Sequence, residues 1–202
     1  LNMGRVLNKQ GKFDAAMEMF KKALEIRLQT LGENHQDVAT VYNNIGTTLN
    51  KQGKLDEAME TFKKTLEIRL ERLGPKHRDV ATAYLNIGRV YNKQDKLDDA
   101  FEMFEIALRI RLNRLGPKHQ DVATVYNNIG CVLRDQGKLD DAMNMFKKTL
   151  KIRLDRLGPR HHDVATIYNN MGTVLNKQGK TDEAMEMFEK TLEIRLDRLG
   201  TD

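Results

Sequence analysis

Asp37-Val38-Ala39-Thr40, Asp79-Val80-Ala81-Thr82, Asp121-Val122-Ala123-Thr124 and Asp163-Val164-Ala165-Thr166 are one tetrapeptide written four times at a constant step of 42 residues. The same step relates Gly4, Gly46, Gly88, Gly130 and Gly172, and it relates Phe20, Phe62, Phe104, Phe146 and Phe188. A period of this length, kept without insertion, marks a repeat architecture in which each unit packs on its neighbours. The periods fall at about 32–73, 74–115, 116–157 and 158–200, after a partial copy at 1–31. Nothing in residues 1–202 lies outside the pattern, so the chain reads as a single array. Its start inside a repeat reads as a piece of something longer.

One period holds two helices. The first is expected from about Gln36 to Gln52, with Val38, Val41, Tyr42, Ile45 and Leu49 on one face at three- and four-residue steps. Gln52-Gly53-Lys54 breaks it, because Gly supplies the positive φ that a helix end often needs. The second is expected from about Leu55 to Leu73, with Leu55, Ala58, Met59, Phe62, Leu66, Leu70 and Leu73 on its apolar stripe. Gly74-Pro75 ends it, and Asp79 in the following loop is placed to cap or favour the next first helix. So short a turn forces the two helices antiparallel. Gly46 and Ala58 let the axes approach closely, and Phe62 fills the space they leave. One pair cannot bury both stripes alone, so neighbouring pairs must stack. The expected fold is all-α: a right-handed superhelical solenoid of antiparallel helix pairs, with the first helices on its concave side.

Tyr42-x-x-Ile45-Gly46-x-x-Leu49, followed by Ala58 and Phe62, resembles the tetratricopeptide repeat pattern over the whole chain. The period exceeds the roughly 34 residues usual in that family. Lys76-His77-Arg78-Asp79-Val80-Ala81-Thr82, with Leu66-Glu67-Ile68-Arg69, is similar to the longer repeat of kinesin light chains and nephrocystin-like proteins. Two departures stand out: Asp95 replaces the turn glycine found at Gly11, Gly53, Gly137 and Gly179, and Leu85 replaces the asparagine found at Asn43, Asn127 and Asn169. Asp tolerates the left-handed region better than most residues, so the turn at Asp95 should survive. No sustained heptad of the kind that pairs a light chain with its motor occurs.

Composition narrows the function. The net charge is +5, yet Lys63-Lys64 lies between Glu60 and Glu67, and this interspersion continues along the chain. Mixed signs at helical spacing mark solvated faces rather than a one-signed phosphate-binding stripe, so nucleic acid is not expected as a partner. No apolar run approaches the roughly 20 residues that span a bilayer, so no membrane partner is expected either. Cys131 is the only cysteine, which excludes an intrachain disulfide and fits a cytoplasmic location.

Catalysis is not expected. Cys131 has no histidine on its own helix face, the chain contains no serine, and Asp56-Glu57 and Asp140-Asp141 sit where carboxylates complement a helix dipole. His35, His77, His119 and His161 recur too far apart to share one metal ion and read as loop residues that help the next helix begin. Only His161-His162 could take up a metal adventitiously, and neither a metal nor a cofactor is expected. The methionines near the phenylalanines, including Met17, Met19, Met59, Met143, Met145, Met185 and Met187, read as core.

The sharpest signal is the column Asn2, Asn44, Asn86, Asn128 and Asn170, because asparagine is a mediocre helix-interior residue. The tetratricopeptide resemblance implies that this column faces the groove, where an asparagine ladder holds a bound peptide. An amide offers donors and an acceptor to any extended backbone; the competing reading is a hydrogen bond that braces the repeats. Asn43, Asn127 and Asn169 stand beside the column. Further along the same helices lie Arg89, then Asn50, Asn92, Arg134 and Asn176, and Arg5, Arg89 and Arg134 favour carboxylates. The expected activity is a non-catalytic scaffold that binds an extended, acidic peptide in the groove. The alternative is a spacer or array that stacks end to end, because the last helix keeps Met185, Phe188, Leu192, Leu196 and Leu199 on an uncapped stripe.

Overall fold

A computed structural model describes residues 1–199, with side chains through residue 197. Its elements are α1 (Asn2–Lys9), α2 (Phe13–Leu31), α3 (Gln36–Lys51), α4 (Leu55–Leu73), α5 (Arg78–Lys93), α6 (Leu97–Leu115), α7 (Gln120–Asp135), α8 (Leu139–Leu157), α9 (His162–Lys177) and α10 (Thr181–Leu199). There is no strand among the described residues. The side chain of Leu199, assigned to the last apolar stripe, lies outside them.

The chain divides into two compact units, Leu1–Ile110 and Arg111–Asp202, with the division inside α6. In the first unit α1 packs on α2 and α3 on α4, while α2 and α4 also pack on the α3 and α5 that follow them. In the second, α7 packs on α8, α8 on α9, and α9 on α10. Each unit is therefore a run of stacked helix pairs, the solenoid arrangement the period implies.

Three local devices repeat. The turn inside each pair closes with the Lys54 N–H bonded to the Leu49 carbonyl at 3.0 Å and the Gly53 N–H to that of Asn50 at 3.4 Å. This pattern requires a left-handed residue, which is Gly53 at φ 79°. Asp95 takes the same role at φ 59°, and its turn closes through the Lys96 N–H on the Tyr91 carbonyl at 3.0 Å.

The second device is a ring on a glycine. A Cβ placed on Gly46 would lie 2.8 Å from Cε1 of Phe62, and one on Gly130 would lie 2.7 Å from Cε1 of Phe146. The ring occupies the volume that any other residue's side chain would take. Around it in the first unit, Val41, Ile45, Leu49, Ala58, Met59, Ile87 and Val90 form a buried cluster.

The third device starts each complete first helix. The Nδ1 atoms of His35, His77, His119 and His161 accept the backbone N–H of Asp37, Asp79, Asp121 and Asp163 at 3.0–3.1 Å. This is how the recurring histidines help the next helix begin. The cap is His77, and Asp79 sits inside the first turn of α5, where its carboxylate faces the positive end of the helix dipole.

Candidate functional site

The asparagine positions lie on the first helices, and the structure pairs them across successive repeats. In the first unit Asn86 Nδ2 donates to Asn43 Oδ1 at 2.9 Å. In the second, Asn170 Nδ2 donates to Asn127 Oδ1 at 3.0 Å. The amide column thus bonds to the neighbouring column of the preceding repeat and braces the stack. Each bond spends half of each amide. Asn43 Nδ2 and Asn86 Oδ1 in one unit, and Asn127 Nδ2 and Asn170 Oδ1 in the other, have no protein partner and remain open to solvent.

The other candidates divide by environment. Asn44 and Asn169 are half-buried without a side-chain bond, and Asn176 is exposed. Asn50 and Asn92 are half-buried, each with an unpartnered buried Oδ1. Asn128 carries a buried Nδ2 with no partner. The residue 43 positions before it in sequence is Leu85, which has no acceptor to offer.

Arg89 is exposed. The Nε and Nη2 of Arg134 reach Oδ1 and Oδ2 of Asp135 at 2.9 and 3.2 Å. That bond to Asp135 holds the Arg134 guanidinium above the usual arginine value, against the opposing effect of burial. Nearby lysines are tethered too, Lys93 Nζ lying 2.7 Å from the Asn50 carbonyl. Cys131, one turn before Asp135, has its thiol pushed up by burial, with Arg134 opposing and Asp135 adding to the rise. That direction is the reverse of what a reactive thiolate requires.

His161, His162 and Asp163 present ligand-type atoms within 4.8 Å of one another. Those atoms are already committed. His161 Nδ1 accepts the Asp163 N–H, which places the ring proton on Nε2. Asp163 Oδ2 is held by Arg153 Nη1 at 2.7 Å, and its Oδ1 lies 3.2 Å from His162 Nε2.

A feature not singled out from sequence is a row of arginines on the second helices. Arg27, Arg69 and Arg111 each donate Nη1 to the carbonyl of Asp37, Asp79 or Asp121 in the next first helix, at 2.7–2.9 Å. Arg69 and Arg111 are buried, and burial pulls the Arg69 guanidinium below the usual arginine value, with Asp79 opposing. The signal available in sequence is the invariant Arg at each 42-residue step.

The tetratricopeptide repeat model matches residues 1–71, 79–155 and 154–197. The chain belongs to the tetratricopeptide repeat family. Solved structures agree on the fold. The crystal structure of BtubC (BKLC) from P. vanneervenii is 24% identical with a TM-score of 0.83, covering 98% of this chain and 79% of that one. A Podosopora anserina putative kinesin light chain with nearly identical TPR-like repeats is 17% identical at TM-score 0.79, covering 99% and 95%. MamA is 22% identical at TM-score 0.64, covering 98% of each chain. No curated protein matches. A tetratricopeptide array is in general a scaffold for protein–protein contacts, and no described helix is long and apolar enough to cross a membrane.

Proposed function

We propose that the chain is a non-catalytic, cytoplasmic scaffold that holds an extended peptide on the exposed face of its first helices. One observation carries this reading: each bonded asparagine pair keeps the amide donor group of one member and the amide acceptor of the other open, on side chains already fixed by bonding to each other. A peptide group presents one acceptor and one donor. The pair therefore matches the backbone of any extended segment, and it is ordered before the ligand arrives. Asn44, Asn128 and Asn169 flank these pairs. Asn50, Asn92 and Asn176 extend the same polar face.

Preference for carboxylates belongs to the first unit. Arg5 and Arg89 are both exposed on its first helices. Neither nucleic acid nor membrane nor cofactor has a place in this reading.

The test is fluorescence anisotropy with acidic and neutral peptide pools. Asn86→Ala and Asn170→Ala should each weaken every ligand by about tenfold, the loss of a net hydrogen bond or slightly more. Arg89→Glu should weaken acidic ligands alone, and added salt should weaken them too. Ligands whose footprint maps to the second helices, or asparagine variants that bind normally, would overturn the proposal.

A further inference from the structure

We propose that the clefts between successive second helices form a further ligand site, which takes a segment of another protein carrying a large apolar side chain flanked by arginine. The same cleft opens at the same place in the repeat in both units. In the first it measures about 340 Å³ and lies between α2 and α4. In the second it measures about 300 Å³ and lies between α8 and α10. Asp14, Met17, Leu49, Gln52 and Glu57 of the first return, 42-residue register kept, as Asp140, Met143, Leu175, Gln178 and Glu183 of the second. Both volumes sit at the low end of the roughly 300–1,000 Å³ that ligand pockets span. That leaves room for a large side chain and its neighbour, but not for a folded element. Both walls of each cleft belong to helix pairs within the chain, so internal packing sets its shape.

The floor is apolar. Ile45 and Leu49 in one cleft, and Met143, Met171 and Leu175 in the other, keep 6–8% of their surface, whereas Val41, Val132 and Val174 keep none. Methionine adapts its shape to whatever side chain enters.

The rim supplies the charge. In the first unit Asp14, Glu18 and Glu57 face only Lys21 and Lys54 across the opening. Gln52 gives its Nε2 to Asp14 at 2.9 Å, and its own buried Oε1 has no donor. Neither Glu18 nor Glu57 forms an ion pair among the described residues. Acceptors therefore outnumber donors around an apolar floor. Arginine answers both demands, since its methylene stem covers apolar surface while its fork pairs with carboxylates. In the second unit Asn144 stands in the place of Glu18, so Asp140 and Glu183 are matched by Lys147 and Lys180. The first cleft is accordingly the stronger site for a cation. Its ligand is opposite in charge to the one proposed for the asparagine face, and the two sites share no residue.

The probe is a short peptide with a leucine between two arginines, titrated into the intact chain and followed by methionine methyl resonances. It belongs to neither the acidic nor the neutral pool that tests the asparagine face. The methyls of Met17 and Met143 should shift, with Met17 responding at the lower peptide concentration. Glu18→Lys, at an exposed position, should weaken the Met17 response up to about fivefold, the range of an exposed ion pair. Asn144→Glu should strengthen the Met143 response until the two clefts match. Replacing the leucine of the peptide by glycine should weaken both by at least tenfold, because apolar burial is lost. Asn86→Ala should leave the titration unchanged, so this site and the asparagine face stand or fall separately. Equal binding by a peptide with glutamates in place of the arginines overturns the inference, as does a titration in which the Met17 and Met143 methyls stay still.

Discussion

Gly130 has no room for a methyl group. The Cβ it lacks would stand 2.7 Å from Cε1 and 3.0 Å from Cδ1 and Cζ of Phe146, a fully buried ring. Gly130→Ala should therefore cost about 1–3 kcal/mol of overpacking, partly offset by the roughly 1 kcal/mol by which alanine favours a helix over glycine. The loss is read from the urea midpoint. Adding Phe146→Leu should make the pair less harmful than the sum of the two single changes, because the second removes the atoms that clash with the first. This contact was legible in the sequence, since Gly and Phe recur together at every step and a small residue near a large one invites that packing. The bonding of the asparagines was less legible. Their column was visible, but a single chain does not say which amide atom a neighbour consumes.

At the scale of the helix, the informative residue is the imidazole cap. His77→Ala should destabilise by about 1 kcal/mol through loss of the acceptor for the Asp79 N–H, and His77→Asn should preserve most of the stability. Chemical denaturation of the two variants side by side checks this. The sequence offered both His77 and Asp79 as residues that help the helix begin, the carboxylate either as a cap or as a partner of the helix dipole. The structure places that carboxylate two residues later, in the first turn. The arginine row escaped for a related reason. The acceptor for Arg27, Arg69 and Arg111 is a backbone carbonyl, which every residue carries; only at Arg153 does the recurring aspartate's own carboxylate, that of Asp163, take the Nη1 bond. Helix extents fared better, because Gly53 and Gly74 punctuate each pair in the two backbone conformations that glycine tolerates most easily. Asp95 breaks the glycine pattern without breaking the turn, at φ 59°.

Across the whole molecule, stability is expected to be local, since each repeat contacts only its neighbours. In Gly130→Ala, amides of α7 to α9 should exchange with deuterium up to roughly 30-fold faster, which corresponds to a net loss of up to about 2 kcal/mol. Those of α3 and α4 should keep their protection. Equal acceleration throughout would mean that the two compact units unfold as one. The periodicity made the helix pairs predictable from four copies of a tetrapeptide. It did not reveal the division inside α6, because a constant period carries no mark of where packing is densest.

The ring-on-glycine contact has a consequence for how the chain reaches its native state. Phe62 fits Gly46 by the same geometry with which Phe146 fits Gly130, so a refolding polypeptide meets several nearly isoenergetic partners for each helix. A slip by one repeat preserves almost every favourable contact. Only idiosyncratic positions resist it, such as Leu85, Tyr91 and Asp95 in the middle of the sequence. Misaligned species should therefore be long-lived traps, escaped by undoing a whole hairpin rather than by adjusting side chains.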